Sequence, residues 1–282
     1  MLLDGKLVSS SLIDDLKPRI SYLHNYGITP KLNVILVGDD EGSKMYVTMK
    51  RKKCEELNIL CNVIQFPSSI QTDKLIETIN HSNTDDSVHG VMVQLPLPKH
   101  IQKNKVLDTI IPSKDVDGLS SSSLGILAKG TPLFSPCTPL GCIRLFEYYK
   151  IPLMGMKVTL IGSSPLVGLP LSLLLLYKGA TVTICNINTK NTKEHTLNSD
   201  IVISCCGVPH LVKEDWIKEG AIVIDIGISK VNGEVIGDVD FHTVHTKCQY
   251  ITPVPGGVGP MTIAILMEQV VQSAEHSSRC KY

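Results

Sequence analysis

The chain has 282 residues, enough for two domains that each bury a core. Lysine plus arginine and aspartate plus glutamate both number 27, so the net charge is zero and nothing electrostatic points to nucleic acid or an anionic membrane. The longest apolar run, near residues 169–177, is far short of the ~20 residues that span a bilayer. Nine cysteines show no CxxC or Cys/His metal spacing and read as reduced thiols, and the N-terminus has no signal-peptide stretch, so a cytoplasmic α/β protein without a metal is expected.

Residues 9–26 place Leu12, Leu16, Ile20 and Leu23 at helical spacing and stop at Gly27. A strand is expected over 31–38, then an acidic turn, a helix over 43–57, a strand over 61–66 and a helix over 72–81. Residues 88–95 (VHGVMVQL) read as a strand ending at Pro96-Leu97-Pro98. The Ser-, Gly- and Lys-rich stretch 112–135 reads as a functional loop. Thr138-Pro139 looks like an N-cap followed by proline at the first helical position, opening a helix to about Tyr149 that would bridge two domains. Residues 157–186 then read as strand, glycine loop, helix, strand, followed by strands over 200–205, 221–226 and 250–252. A last helix starts at Met261. Strands alternating with helices predict parallel sheets covered on both faces.

The glycine loop at Gly162 and Gly168 has G-x5-G spacing, with Ser163, Ser164 and Val167 between. It places a helix N-terminus where backbone N–H groups favour a phosphate, as in a dinucleotide site; an ordinary βαβ turn is the alternative. Tyr46 and Lys50 are four apart and share a helix face. A lysine at a buried edge has its pKa lowered and serves acid–base chemistry, whereas the run Lys50-Arg51-Lys52-Lys53 also fits a solvated face. Gln94 stands at the carboxyl end of a parallel strand, where ligands bind in open α/β sheets, or else it caps a loop. In Asp115-Val116-Asp117-Gly118 one carboxylate is expected to cap backbone N–H groups and the other to face a ligand, with an Asx-turn as the alternative. The string at 253–262, PVPGGVGPMT, combines stiffening prolines with glycines that let the backbone approach a ligand.

Together these strings resemble the bifunctional methylenetetrahydrofolate dehydrogenase/cyclohydrolase family. The matching segments are YVTMK with RKKCEELNI, VMVQLPLP, PSKDVDGL, PCTPLGC, LIGSSPLVGLP, DIVISCCG, VIDIGI, GDVDF and TPVPGGVGPMT, in the family's order from about Leu2 to Gln272. The resemblance implies an N-terminal folate-binding α/β domain over 1–138, with the last helix (261–276) packing back on it. It also implies a Rossmann-type domain over 139–260, a cleft between the two, and a homodimer formed through the Rossmann domain. It assigns Lys50, Gln94 and Asp117 to catalysis. Tyr46, Pro255 and Gly256, with those three, would bind the tetrahydrofolate substrate. Cofactor contacts fall to Gly162, Ser163, Ser164, Val167, Gly168, Ile187, Ile228, Gly259 and Thr262, and Cys137 and Thr138 lie in a joining motif. The implied chemistry is oxidation of 5,10-methylenetetrahydrofolate by NADP or NAD, then hydrolysis of the methenyl product to 10-formyltetrahydrofolate.

Two positions depart from the family. Ser163 stands where an arginine commonly clamps the 2′-phosphate of NADP, and Cys185-Asn186-Ile187 replaces Cys-His-Ser. Losing those contacts weakens a phosphate by ~1.5–3 kcal/mol per charged hydrogen bond, yet no carboxylate ends the second strand as in a typical NAD site. Asn186 or Asn188 would hold ribose hydroxyls more weakly, and Lys190 would supply a displaced charge. NAD is therefore a live alternative to NADP. A cyclohydrolase or folate-binding protein with weak or absent dehydrogenase activity is a further one, as is a different Rossmann oxidoreductase.

Overall fold

Apolar strands joined through helices favour parallel pairing, and here they pair in parallel in two separate sheets. The structure, a computed structural model, describes residues 1–279, so Cys280 lies outside the described residues. Two units are resolved: residues 1–10 with 138–262, and residues 11–137 with 263 onward.

In the second unit, β1 (Lys31–Val37) lies between β2 (Leu60–Phe66) and β3 (Gly90–Val93), all parallel. Its helices are α1 (Gly5–Asn25), which begins at residues of the first unit, α2 (Glu41–Glu56), α3 (Thr72–Thr84), α4 (Lys103–Asp108) and α5 (Ser121–Ala128). The central strand is buried along nearly its whole length, as expected of a parallel strand covered on both faces. Ile35, Leu75, Ile79, Val91 and Val106 form one continuous core. Stretch 112–135, expected to be a loop throughout, contains α5. Ser120 caps that helix by accepting from Ser123 N, which a reading for long apolar periodicity does not detect.

In the first unit α6 (Cys137–Tyr148) leads into β4 (Lys157–Ile161), α7 (Gly168–Tyr177) and β5 (Thr181–Cys185). Then come α8 (Thr192–Leu197), β6 (Ile201–Ser204), a 3-10 turn (Glu214–Trp216) and β7 (Ile222–Asp225). The hairpin β8 (Ser229–Val231) and β9 (Glu234–Ile236), α9 (Phe241–Val244) and β10 (Tyr250–Ile251) follow, and α10 (Val258–Arg279) begins in this unit and belongs to the second from residue 263. The five-stranded sheet runs β10-β7-β6-β4-β5, all parallel, with Phe146, Leu160, Leu171, Ile203 and Ile224 in its core. Several boundaries differ from expectation, α1 starting at Gly5 rather than 9 and β3 spanning only Gly90–Val93 among them. Thr138 falls inside α6 rather than capping it, and α10 starts at Val258, so Gly259 and Pro260 belong to its first turn, where proline lacks only a donor that would be unpaired anyway. Among the described residues no helix is long and apolar enough to cross a membrane.

Candidate functional site

Helix α2 is started by Asp40, whose carboxylate accepts from Ser43 N and Ser43 Oγ, both at 2.8 Å. Its inward face carries Ser43, Val47, Lys50 and Cys54, a stripe at helical spacing. Lys50 is thus the one member of the basic run turned fully into the protein, at 7% exposure, while Arg51 and Lys52 stay exposed. Its Nζ donates to Gln94 Oε1 at 2.9 Å, and Gln94 Nε2 donates to Leu95 O at 2.7 Å. Gln94 sits just past β3, its own N–H donating to Ile35 O, so the sheet fixes the amide and the amide fixes the amine.

Of the two carboxylates of the 115–118 turn, one caps backbone N–H groups as expected. Asp115, fully buried, accepts from Leu119 N and Ser120 N and holds the turn. Asp117 lies near enough to Lys50 for its charge to act on the amine, while the Cys137 thiol donates to Val116 O at 3.4 Å. Gly118 has φ +65°, and a Cβ there would lie 2.8 Å from Pro136 N and Ser135 C, so only glycine lets this turn meet the segment before α6. Burial pushes the Lys50 amine below its ordinary pKa, partly offset by the Asp117 charge and then by Cys137 and Cys61. Burial pushes the Asp117 carboxyl up, with Lys50 opposing and Asp115 adding. Both shifts favour the neutral forms. Tyr46, one turn before Lys50, is half-buried, and burial raises its hydroxyl pKa.

The first unit holds a cavity of about 530 Å³ beside the glycine loop, lined in part by Gly162, Ser163, Ser164, Ile187, Cys206 and Trp216. Ser164 Oγ accepts from Val167 N at 3.2 Å, and Val167 gives α7 no side-chain cap. A Cβ on Gly168 would lie 2.0 Å from Gly162 O, so the start of the helix rests directly against the loop. Ile187 is 99% exposed. Asn186 Oδ1 accepts from Asn188 N at 2.9 Å and its N–H donates to Thr189 Oγ1, so the acceptor expected for ribose hydroxyls is already engaged. Ile228, Gly259 and Thr262 do not line this cavity. Ile228 is exposed on the approach to β8, and Thr262 Oγ1 pairs with Thr138 Oγ1 at 3.0 Å. Pro255 follows a cis peptide bond, and Gly256 O accepts from Gly5 N at 3.0 Å.

Sequence reasoning passed over Asp238 and Gln269. The buried Asp238 carboxylate accepts from Ser204 Oγ, Cys206 N and Val208 N and shapes one wall of the cavity; its signal was the GDVDF string. Gln269 stood in an apolar helical stretch with nothing to mark it.

Two family models match the chain: the tetrahydrofolate dehydrogenase/cyclohydrolase catalytic domain over residues 3–117, and the NAD(P)-binding domain of the same description over 136–278. The chain is 48% identical to the bifunctional protein FolD of Nautilia profundicola over 279 residues, 99% of this chain and 98% of that one. The crystal structure of the bifunctional FolD enzyme from Campylobacter jejuni matches with TM-score 0.96 and 47% identity, covering 98% of this chain and 99% of that one. The Trypanosoma brucei enzyme, complexed with NADP cofactor and inhibitor, matches with TM-score 0.94 and 33% identity, covering 99% and 98%.

The contact between Gly168 and the Gly162 carbonyl yields a direct test. Gly168→Ala must separate loop from helix, and it is expected to weaken dinucleotide binding at least ~10-fold by titration calorimetry, with hydrolysis of supplied methenyltetrahydrofolate retained. Unchanged binding would show that this junction does not shape the site.

Proposed function

The chain belongs to the tetrahydrofolate dehydrogenase/cyclohydrolase family, and from that premise we propose how its residues divide the chemistry. It is a bifunctional enzyme of one-carbon folate metabolism that oxidises 5,10-methylenetetrahydrofolate to the 5,10-methenyl compound and hydrolyses that to 10-formyltetrahydrofolate. Residues 1–138 with 261–276 are assigned to folate binding and catalysis, and 139–260 to the dinucleotide. The observation that carries the residue assignment is the buried Lys50–Gln94 hydrogen bond beside Asp117.

Neutral Lys50 takes a proton from the water that adds to the methenyl carbon. It returns a proton to N5 as the carbon–N5 bond breaks and the added oxygen becomes the formyl oxygen, so the net reaction releases one proton. Gln94 Oε1, by accepting one Nζ–H, orients the amine's lone pair, and Asp117 supports the transient ammonium. A cationic methenyl group beside a cationic lysine is unfavourable, and burial of Lys50 avoids that state. Tyr46 offers a half-buried ring to stack on the pterin and aminobenzoyl portion. Pro255 and Gly256 supply a further wall for the folate.

The glycine cradle at Gly162 and Gly168 and the uncapped start of α7 fit a dinucleotide pyrophosphate. Bound NAD(P) supplies the hydride acceptor. Ser163, Ser164, Val167 and Ile187 are assigned to its grip, with Ile228, Gly259 and Thr262 as contacts beyond the cavity. At the adenosine end neither a clamping cation nor a ribose-binding carboxylate stands at Ser163, Asn186 or Ile187, so the site discriminates weakly between NADP and NAD. Eight unpaired cysteines among the described residues suit a reducing compartment, and the enzyme is assigned to the cytoplasm. Edge strand β5 exposes Ile184, and α7 exposes Leu169, Leu176 and Tyr177; this apolar face is assigned to a homodimer.

Three outcomes are expected. Lys50→Met lowers enzyme-catalysed methenyl hydrolysis at least ~100-fold, and the wild-type rate, corrected for spontaneous hydrolysis, rises with pH through a lysine pKa below 10.5. Because that pKa is depressed in the fold, the unfolded chain binds the extra proton and stability rises with pH up to the ordinary lysine range. Removing the amine at neutral pH therefore relieves a desolvation cost, and a folded Lys50→Met protein with wild-type hydrolysis would remove Lys50 from this role. With methylenetetrahydrofolate, initial rates with NADP and NAD differ by less than ~10-fold in kcat/KM, and Ser163→Arg raises the NADP preference; a strong wild-type preference for either would contradict weak discrimination. Ile184→Asp converts a dimer to a monomer by light scattering; a wild-type monomer would exclude the assembly.

A further inference from the structure

Strands β6 and β7 end side by side, with Ser204 and Asp225 in register at their carboxyl ends. In an open parallel sheet that edge is where ligands bind. The buried Asp225 carboxylate turns to the backbone there. Oδ1 accepts from Gly227 N at 3.1 Å and Asp238 N at 3.0 Å, and Oδ2 accepts from Val239 N at 2.9 Å. Asp225 thereby seats residues 237–239 against the end of β7. From that seat Asp238, at 0% exposure, reaches the loop that follows β6. Oδ2 accepts from Ser204 Oγ and Cys206 N, both at 2.8 Å, and from Gly207 N at 3.3 Å, while Oδ1 accepts from Val208 N at 2.9 Å. A carboxylate accepts on both oxygens, whereas an amide of the same size offers one acceptor and a donor, so this set of donors calls for aspartate. A Cβ on Gly227 would lie 1.9 Å from Asp238 Oδ1, so the carboxylate fits there only against a glycine.

The loop held in this way is a wall of the cavity, since Cys205, Cys206 and Val208 line it, with Leu211 and Trp216 beyond them. The N–H groups of Cys206, Gly207 and Val208 are engaged by a buried carboxylate, so the wall offers none of them to a phosphate. It meets a ligand with uncharged side chains, and the pyrophosphate is left to the loop at Gly162 and Gly168.

We propose that Asp238, seated by Asp225, is a positioning residue for the dinucleotide: it fixes the Cys206–Val208 wall against the adenine, the uncharged ring that NADP and NAD share. This rests on assigning the dinucleotide to the cavity beside Gly162 and Gly168. An acceptor lost at Asp238 leaves consecutive N–H groups without their buried partner, and the loop must turn to find water. The wall then loses its shape for either dinucleotide alike, so affinity falls while preference stays. Hydrolysis, assigned to Lys50 in the second unit, is unaffected.

The test uses the full chain, with titration calorimetry against NADP and NAD, amide hydrogen exchange across 205–208, and kcat and KM for both activities. In the wild type the N–H groups of Cys206, Gly207 and Val208 are expected to be protected although they lie outside the strands. Rapid exchange there overturns the proposal without any variant. Asp238→Asn keeps one acceptor oxygen and turns an NH2 group toward the remaining donors. It is expected to weaken both dinucleotides at least ~10-fold and by the same factor, and to raise the dinucleotide KM more than it lowers kcat. Hydrolysis of supplied methenyltetrahydrofolate stays near wild type. Val244→Ala, a core change in the same unit, lowers the thermal midpoint and leaves dinucleotide affinity near wild type. Wild-type affinity in a folded Asp238→Asn, or an equal loss in Val244→Ala, overturns the proposal and leaves Asp238 a role in stability alone. Trp216, the one tryptophan of the chain, lines the cavity and reports the underlying assignment separately. Binding to the wild type without a change in Trp216 fluorescence overturns the placement of the dinucleotide in this cavity. A changed signal with an unaffected Asp238→Asn overturns the role of Asp238 and leaves that placement standing.

Discussion

A lysine amine held almost out of water is the constraint on which the second unit turns. An ammonium in such a place is expensive unless it is neutralised or paired, and the fold arranges both options around Lys50. The cap at Asp40 sets where α2 begins and hence which residues of the basic run point inward. The central sheet places Gln94 just beyond β3 with its amide already tied to Leu95 O, so that its carbonyl is left for the amine. The 115–118 turn then brings a second ionisable group alongside. None of these contacts is strong by itself. Together they surround two titratable groups that burial shifts toward their neutral forms.

The two carboxylates of the 115–118 turn show how neighbours of one chemical type are separated by environment. Asp115 spends its oxygens on Leu119 N and Ser120 N and serves the backbone, whereas the charge of Asp117 acts on Lys50. In the first unit Asp238 plays the part of Asp115, since its oxygens organise the Cys206–Val208 backbone along the cavity. In both places a buried carboxylate engages backbone N–H groups with its oxygens.

Much of the architecture was legible because parallel strands buried on both faces are predominantly apolar, and KLNVILV, IVIS and IVID are. The elements that escaped notice, α4, α5, α8, the 3-10 turn, the hairpin at 229–236 and α9, are short and depend on neighbours rather than on a long apolar period. The start of α10 escaped for a related reason: prolines and glycines at 253–260 look like loop, although proline is at home in a first helical turn. At the site, Tyr46, Lys50, Gln94 and Asp117 stood out by spacing and by family likeness. Gln269 gave no signal, because a glutamine in a helix looks the same whether it faces solvent or closes a hydrogen-bond network 153 residues away.

By itself the sequence determined the class of fold, the family, and that Ser163 and Ile187 stand in the glycine-loop region, for these depend on residue identity and order. Only the tertiary structure decided which lysine of Lys50-Arg51-Lys52-Lys53 is buried, which aspartate of the turn is a cap, and that Asn186 already uses its acceptor. The reason is physical. The charge state of a side chain and its freedom to bind are set by the water it has lost and the partners it has gained, and those come from segments distant in the chain.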